Sequence, residues 1–286
     1  MNYRHAFHAG NFADVVKHAT LGRVIAHLKE KPAAFRLIDT HAGAGLYDLT
    51  GAEASRTGEW RSGIGRLRAV PLDAAVRDLL APYLDAVAAL NPDERLTTYP
   101  GSPALARAWL RPQDRITACE LEPKAAAALE DAMHRDKRVK AVAIDGYTAL
   151  NAYLPPKERR GLVLIDPPFE QPGEFERLAD GLSGAHRKWP TGIYLVWYPL
   201  KDARETARFA RALSRLGIPR ILRAELTVSG TPAGGAAARL AGTGMIVVNP
   251  PWRLEDELKL LLPALAAVLA DDGRGGVRLE RLAGEK

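Results

Sequence analysis

Residues 161–169 read Gly161-Leu162-Val163-Leu164-Ile165-Asp166-Pro167-Pro168-Phe169. Four aliphatic side chains in a row, without polar alternation, suit a strand buried on both faces of a parallel sheet. The prolines then stop the strand, because neither has an N–H to give to a ladder. The same form recurs on either side. Phe35-Arg36-Leu37-Ile38-Asp39 runs into Thr40-His41-Ala42-Gly43-Ala44-Gly45, and RITACELE (115–122), VKAVAIDG (139–146) and GIYLVWYP (192–199) each close on polar or turn-forming residues. Helical stretches such as 123–136 and 174–188 separate them. Strands alternating with helices imply right-handed crossovers and helices on both faces of a mostly parallel sheet. Near the end, 219–230 and 243–252 are joined by a small-residue loop at 233–242 that is too short for a helix, so they should form an antiparallel hairpin. The expectation is an α/β fold with a seven-stranded, Rossmann-like sheet whose last strand runs antiparallel.

Before the first strand, residues 11–31 read as a helix: Asn11 can cap it, and Phe12, Val15, Val16 and Ala19 share a face, with Lys17 on the polar side and His18 flanking the apolar stripe. Lys31-Pro32 ends it. Residues 47–100 lack strand-like runs and are helical in tone, which reads as a helical insertion subdomain after the first strand of a single domain spanning 1–286. A chain of 286 residues with one cysteine, Cys119, has neither a disulfide framework nor a cysteine-rich zinc site, and the expectation is no metal and a reducing, cytoplasmic setting. No stretch approaches the ~18–20 apolar residues of a membrane span. Forty Lys+Arg against 34 Asp+Glu give a net charge of +6, mildly attractive to polyanions.

In an open α/β sheet, ligands bind outside the carboxyl ends of the strands, so chemistry is sought there. The glycines after Asp39 allow close backbone approach to a ligand. Glu120 can accept both hydroxyls of a ribose, and Asp145 can accept from the exocyclic amine of an adenine that Gly146 lets lie close. There is no G-x-x-x-x-G-K phosphate loop, and Leu46-Tyr47-Asp48 after Gly45 departs from the dinucleotide fingerprint. A nucleoside without phosphates remains, and S-adenosylmethionine is the common one. Asp166-Pro167-Pro168-Phe169 completes the argument. An aryl amine such as adenine N6 is a poor nucleophile, and a site that methylates it must hold its N–H groups with acceptors and aim the lone pair at the methyl. Asp166 offers one acceptor, the stiffened Pro167-Pro168 turn offers a backbone carbonyl, and Phe169 offers a ring on which the base can stack.

Asn249-Pro250-Pro251-Trp252 spells nearly the same tetrapeptide. It follows the antiparallel strand, whose carboxyl end lies at the opposite sheet edge, so it is expected to be a structural turn with Trp252 in the core. The amino-terminal Tyr3, Arg4, His5, Phe7 and His8 interleave cations with aromatics, as suits contact with phosphates and bases, and Lys17 is added to that set.

Taken together, Tyr3-Arg4-His5, Phe7-His8-Ala9-Gly10-Asn11, Ala13-Asp14-Val15, Lys17-His18, the run 39–45, Tyr99-Pro100-Gly101-Ser102-Pro103, Ile165-Asp166-Pro167-Pro168 and the run 244–252 resemble the 23S ribosomal RNA adenine-N6-methyltransferase RlmJ family over essentially the whole chain. The resemblance implies a class I methyltransferase fold with a helical insertion and a monomer that modifies one adenine of large-subunit ribosomal RNA. It also implies S-adenosylmethionine contacts at His18, His41, Ser102, Glu120, Asp145, Gly146 and Asp166, and an RNA contact at Tyr3. The family's tetrapeptide usually ends in tyrosine. Phe169 keeps the stacking surface and loses a hydroxyl that the proposed chemistry does not need. Rival readings are a DNA adenine-N6 or protein glutamine methyltransferase, for which no target-recognition domain is visible, and a non-catalytic RNA-binding assembly factor, against which the intact acids at 120, 145 and 166 argue.

Overall fold

A computed structural model describes residues 4–229, 240–273 and 275–284. After a short turn at His5–Phe7, helix α1 (Phe12–Lys29) begins where the Asn11 side chain accepts from the amides of Ala13 and Asp14. Strand β1 (Arg36–Asp39) follows, then β2 (Leu46–Asp48), α2 (Ala52–Thr57), a wide helical turn at Arg61–Gly65, α3 (Arg66–Ala69), α4 (Ala74–Ala89) and β3 (Thr98–Pro100). Helix α5 (Ser102–Trp109) leads into the alternation β4 (Arg115–Glu120), α6 (Pro123–Met133), β5 (Val139–Ala143), α7 (Gly146–Ala152), β6 (Gly161–Ile165), α8 (Glu174–Lys188), β7 (Ile193–Leu200) and α9 (Ala203–Ser214). The chain closes with β8 (Ile221–Thr227), β9 (Gly242–Val248), α10 (Leu254–Leu269) and β10 (Gly276–Ala283). The small-residue loop expected at 233–242 lies mostly outside the described residues.

The main sheet runs β10-β8-β9-β7-β6-β1-β4-β5. Strands β7, β6, β1, β4 and β5 are parallel, and β9 is antiparallel to both β7 and β8. This is the class I methyltransferase order, with its reversed strand where the hairpin was expected. The sheet has eight strands rather than seven. The extra one, β10, adds antiparallel to the outer edge of β8, and its charged, largely exposed residues carry no buried-strand signal.

Alternate residues of the central strands feed two cores. Leu37, Leu162, Leu164 and Leu195 pack with α1, α4, α5 and α10 on one face. Ile38, Val163, Ile165 and Val196 pack with α7, α8 and α9 on the other. Between Asp39 and β4 the chain is helical, yet Leu46–Asp48 and Thr98–Pro100 pair antiparallel into a ribbon, a pairing too short to show as strand-like runs. Residues Ile64, Leu67, Val76, Leu80, Tyr83 and Val87 of this stretch share the core that encloses α1.

That enclosure overturns one sequence expectation. Helix α1 packs against α4, α5, α10 and β9, so it has little solvent face, and Lys17 and His18 are both buried. A second reversal concerns Trp252, expected in the core but 70 % exposed, with Arg253 lying over its ring at 4.4 Å. The turn after Asn249 carries it away from the sheet.

At the start of β6, Gly161 adopts φ +150°, and a Cβ there would fall 1.9 Å from the Arg36 carbonyl oxygen. Gly161→Ala should therefore lower stability by about 2 kcal/mol or more. Urea denaturation reads the effect, and an unchanged midpoint would mean that β1 and β6 can part without cost.

Candidate active site

Strand order reverses about β1: the chain proceeds from β1 to β4 and β5 on one side, then returns to lay β6 and β7 on the other. The carboxyl ends of β1 and β6 therefore border the crevice in which ligands of such sheets bind. Asp39 ends β1, and Asp166 follows β6.

Lys17 reaches this crevice from α1. Its Nζ lies 2.5 Å from Asp166 Oδ2 and 2.8 Å from Asp14 Oδ1. Burial works against the ammonium, but the two carboxylates outweigh it and hold its pKa well above the ordinary lysine value. Asp14 in turn accepts from the Gly10 amide at 2.9 Å and contacts His5 Nε2 at 3.0 Å. Lys17, expected to face phosphates, is instead buried and doubly held by carboxylates.

Asp39 is buried. Its Oδ2 accepts from Ser102 Oγ at 2.6 Å, whereas Oδ1 has no partner among the described residues. Burial pushes its pKa up to about 7 against the opposing Ser102 hydrogen bond. His18 Nδ1 lies 2.8 Å from the Tyr99 hydroxyl, and its Nε2 is likewise unpartnered among the described residues. Burial lowers the His18 pKa to about 3, so the ring is neutral.

On the other side of β1 the remaining expected residues sit on adjacent strand ends. Glu120 accepts from the Gly43 amide through Oε2 and from the Glu122 amide through Oε1, both at 2.8 Å. Each oxygen keeps a further lone pair. Asp145 caps α7: its Oδ1 accepts from the Thr148 amide and hydroxyl at 2.8 and 3.0 Å, and its Oδ2 lies 3.4 Å from Arg177. His41 Nδ1 lies 2.8 Å from the Thr40 hydroxyl, which also lies 3.0 Å from the Leu164 carbonyl, and the Cε1–Nε2 edge of the ring faces Gly146. Burial lowers the His41 pKa to about 4. A Cβ on Gly146 would fall 2.5 Å from both His41 Cε1 and the Thr40 carbonyl. The His41 ring and the Thr40 carbonyl therefore require a glycine at this position.

Pro167 is buried, while Pro168 and Phe169 are half-buried. Phe169 has φ +52°, and its ring meets Phe175 and Trp197 edge-on at 4.9 and 5.8 Å between centroids. Asn249, in the rival tetrapeptide, spends its side chain on structure: Nδ2 donates to the carbonyls of Pro190 and Gly192 at 2.8 and 2.7 Å, and Oδ1 accepts from Arg220 at 2.8 Å. Tyr3 lies outside the described residues. Arg4, more than half exposed, pairs with Glu53 of α2.

Sequence reading gave no role to Asp14, Asp39 or Tyr99, which the structure places against Lys17, Ser102 and His18. Only Asp14 had a local signal, its i,i+3 spacing from Lys17 on a helix. Among the described residues there is no cluster of three or more potential metal ligands and no helix long and apolar enough to cross a membrane.

Comparison with known proteins agrees in one direction. A family model described as "Ribosomal RNA large subunit methyltransferase D, RlmJ" matches residues 32–283. The chain is 41 % identical over 275 residues to "Ribosomal RNA large subunit methyltransferase J" of Escherichia coli (strain K12), covering 96 % of each. It is 38 % identical over 284 residues to the protein of the same name from Haemophilus influenzae, covering 98 % of each. A crystal structure of a Legionella pneumophila protein, 34 % identical, is similar with a TM-score of 0.85 over 96 % of this chain and 98 % of that one.

Two measurements probe the site's wiring. Folding favours the protonated form of Asp39, so its contribution is complete below pH ~4 and is lost as pH rises through about 7. Asp39→Asn should flatten the fall in melting temperature between pH 5 and 8, and an equally steep fall would mean that Asp39 ionises without penalty. Asn249→Ala should cost about 2 kcal/mol of stability through its lost hydrogen bonds and leave S-adenosylmethionine affinity unchanged, as calorimetry would read. Lost affinity in a folded variant would move the site to the other tetrapeptide.

Proposed function

We propose, because the chain belongs to the ribosomal RNA large subunit methyltransferase J family, that it transfers a methyl group from S-adenosylmethionine to the exocyclic N6 of an adenine in 23S ribosomal RNA, acting as a cytoplasmic monomer. The observation that carries this reading is the Asp166-Pro167-Pro168-Phe169 turn at the switch point of the sheet, its carboxylate held by an enclosed lysine.

The residues present fit S-adenosylmethionine. Two buried, unpartnered polar atoms, His18 Nε2 and Asp39 Oδ1, suit the charged amino-acid end of the molecule, with Ser102 bracing Asp39. Glu120, fixed by two backbone amides, has lone pairs left for ribose hydroxyls, and Asp145, with His41 and Gly146 beside it, would meet the adenine. When bound, this cofactor supplies an electrophilic methyl on a sulfonium.

Everything else falls to the chain. Asp166 and a carbonyl of the Pro167-Pro168 turn accept from the two N–H bonds of the target amine, which frees the nitrogen lone pair to point at the methyl. As the new N–C bond forms, the nitrogen sheds a proton, and the Asp166 carboxylate is the acceptor at hand. Lys17 keeps that carboxylate aimed, and Phe169 offers its ring to the base. Tyr3, Arg4 and His5 serve as substrate contacts in this reading, and Lys17 does not.

Asp166→Ala should lower methylation of 23S ribosomal RNA by at least about a hundredfold while S-adenosylmethionine affinity stays within a few-fold. The RNA is taken from cells lacking the protein, and nucleosides are identified by mass spectrometry after digestion. Near-normal turnover in the variant would remove Asp166 from the chemistry, and a product other than N6-methyladenosine would overturn the assigned target.

A further inference from the structure

The buried string Tyr83, Tyr99, His18 has a direction. Tyr83 Oη lies 2.9 Å from Tyr99 Oη, which lies 2.8 Å from His18 Nδ1. The neutral ring and the two phenols hold three protons for two contacts, and no further partner is seen for any of them among the described residues. In one order, Tyr83 donates to Tyr99 and Tyr99 donates to His18 Nδ1. Both phenol protons are then used, and the imidazole proton sits on Nε2 with nothing to meet. In the reverse order, Nδ1 donates to Tyr99 and Tyr99 to Tyr83. The Tyr83 proton is then stranded, and the Nε2 lone pair is bare as well. One unpaired buried group against two biases the equilibrium about tenfold or more toward the first order.

We propose that Tyr99, backed by Tyr83 from the inserted helical stretch, is a positioning residue that fixes His18 as its Nε2–H tautomer, so that the ring presents a donor to the acidic end of the cofactor. The cofactor part rests on the function proposed above.

Three observations place this device at the crevice. Tyr99 belongs to the same short segment in which the Gly101 amide donates to the Gly45 carbonyl at 2.8 Å and Ser102 donates to Asp39. The two rings brace the imidazole, Tyr99 at 5.7 Å and 30° and Tyr83 nearly edge-on at 6.1 Å. His18 also follows directly on Lys17, which holds Asp166. A donor at His18 Nε2 and an acceptor at Asp39 Oδ1 then form the complementary pair that a carboxylate and an ammonium on one ligand require.

The test uses the full chain labelled with ¹⁵N-histidine and free of cofactor. Two-bond ¹H–¹⁵N correlation reads the tautomer, and His18→Gln identifies the signal. In the unsubstituted protein the Nε2–H pattern is expected; an Nδ1–H pattern overturns the proposal without any variant. Tyr99→Phe should mix or invert the tautomer and weaken S-adenosylmethionine binding about tenfold in calorimetry. Tyr83→Phe deletes a hydroxyl from the same buried string, yet leaves Tyr99 free to donate, so it should keep the tautomer and hold affinity within about threefold. A Tyr99→Phe protein that keeps a pure Nε2–H ring would sink the positioning role, and so would one that loses it with affinity unchanged. Failure of the unsubstituted protein to bind S-adenosylmethionine while showing the Nε2–H ring would instead strike the functional reading.

Discussion

One ammonium group ties the molecule together. A lysine shut inside a protein is tolerable only when its charge is met, and Lys17 is met twice, by Asp14 three residues earlier on its own helix and by Asp166 across the crevice. The first contact stiffens the start of α1, and the second draws that helix onto the end of β6. Removing either carboxylate would leave the enclosed ammonium with one partner in place of two, a costly change in a low-dielectric interior. The acid that the proposed chemistry needs is therefore also the acid that fold stability needs.

The stretch between β2 and β3 gains a meaning from the same helix. Residues such as Leu80, Tyr83 and Val87 close the side of α1 that would otherwise face water. Without that cover Lys17 would be solvated and its grip on Asp166 diluted by competing water. The two-stranded ribbon at the base of the stretch brings Tyr99 and Gly101 back beside the glycine turn they left, so a long excursion begins and ends at the crevice.

Much of this was legible in the residues. Runs such as Leu162–Ile165 announce a two-sided parallel sheet because nothing polar interrupts them, and most of the chemistry-bearing side chains sit in the few positions directly after such a run. Those that escaped notice did so for physical reasons. Lys17 reads as a surface residue because its burial depends on Asp166, 149 positions away. Asp39 reads as part of a turn because the side chain that braces it, Ser102, lies 63 positions away. Trp252 reads as core because large aromatic rings usually are, whereas here Arg253 shelters one face of a ring left outside. Strand β10 is invisible because an edge strand carries charges where a central one carries aliphatics.

Those charges follow a rule. Arg278 faces Glu225, and Glu280 faces Arg223, so the two strands present acid and base in opposite order along the ladder. Sliding β10 by two positions one way would bring Arg278 against Arg223, and sliding it the other way would bring Glu280 against Glu225. Moving it by one would turn every side chain to the wrong face. The last strand arrives by way of a helix, with no tight hairpin to fix its alignment, and the alternating signs act as a lock that accepts a single key position. The sheet is thus closed at its outer edge by electrostatic proofreading of a segment that hydrophobic patterning alone would have left free to slip.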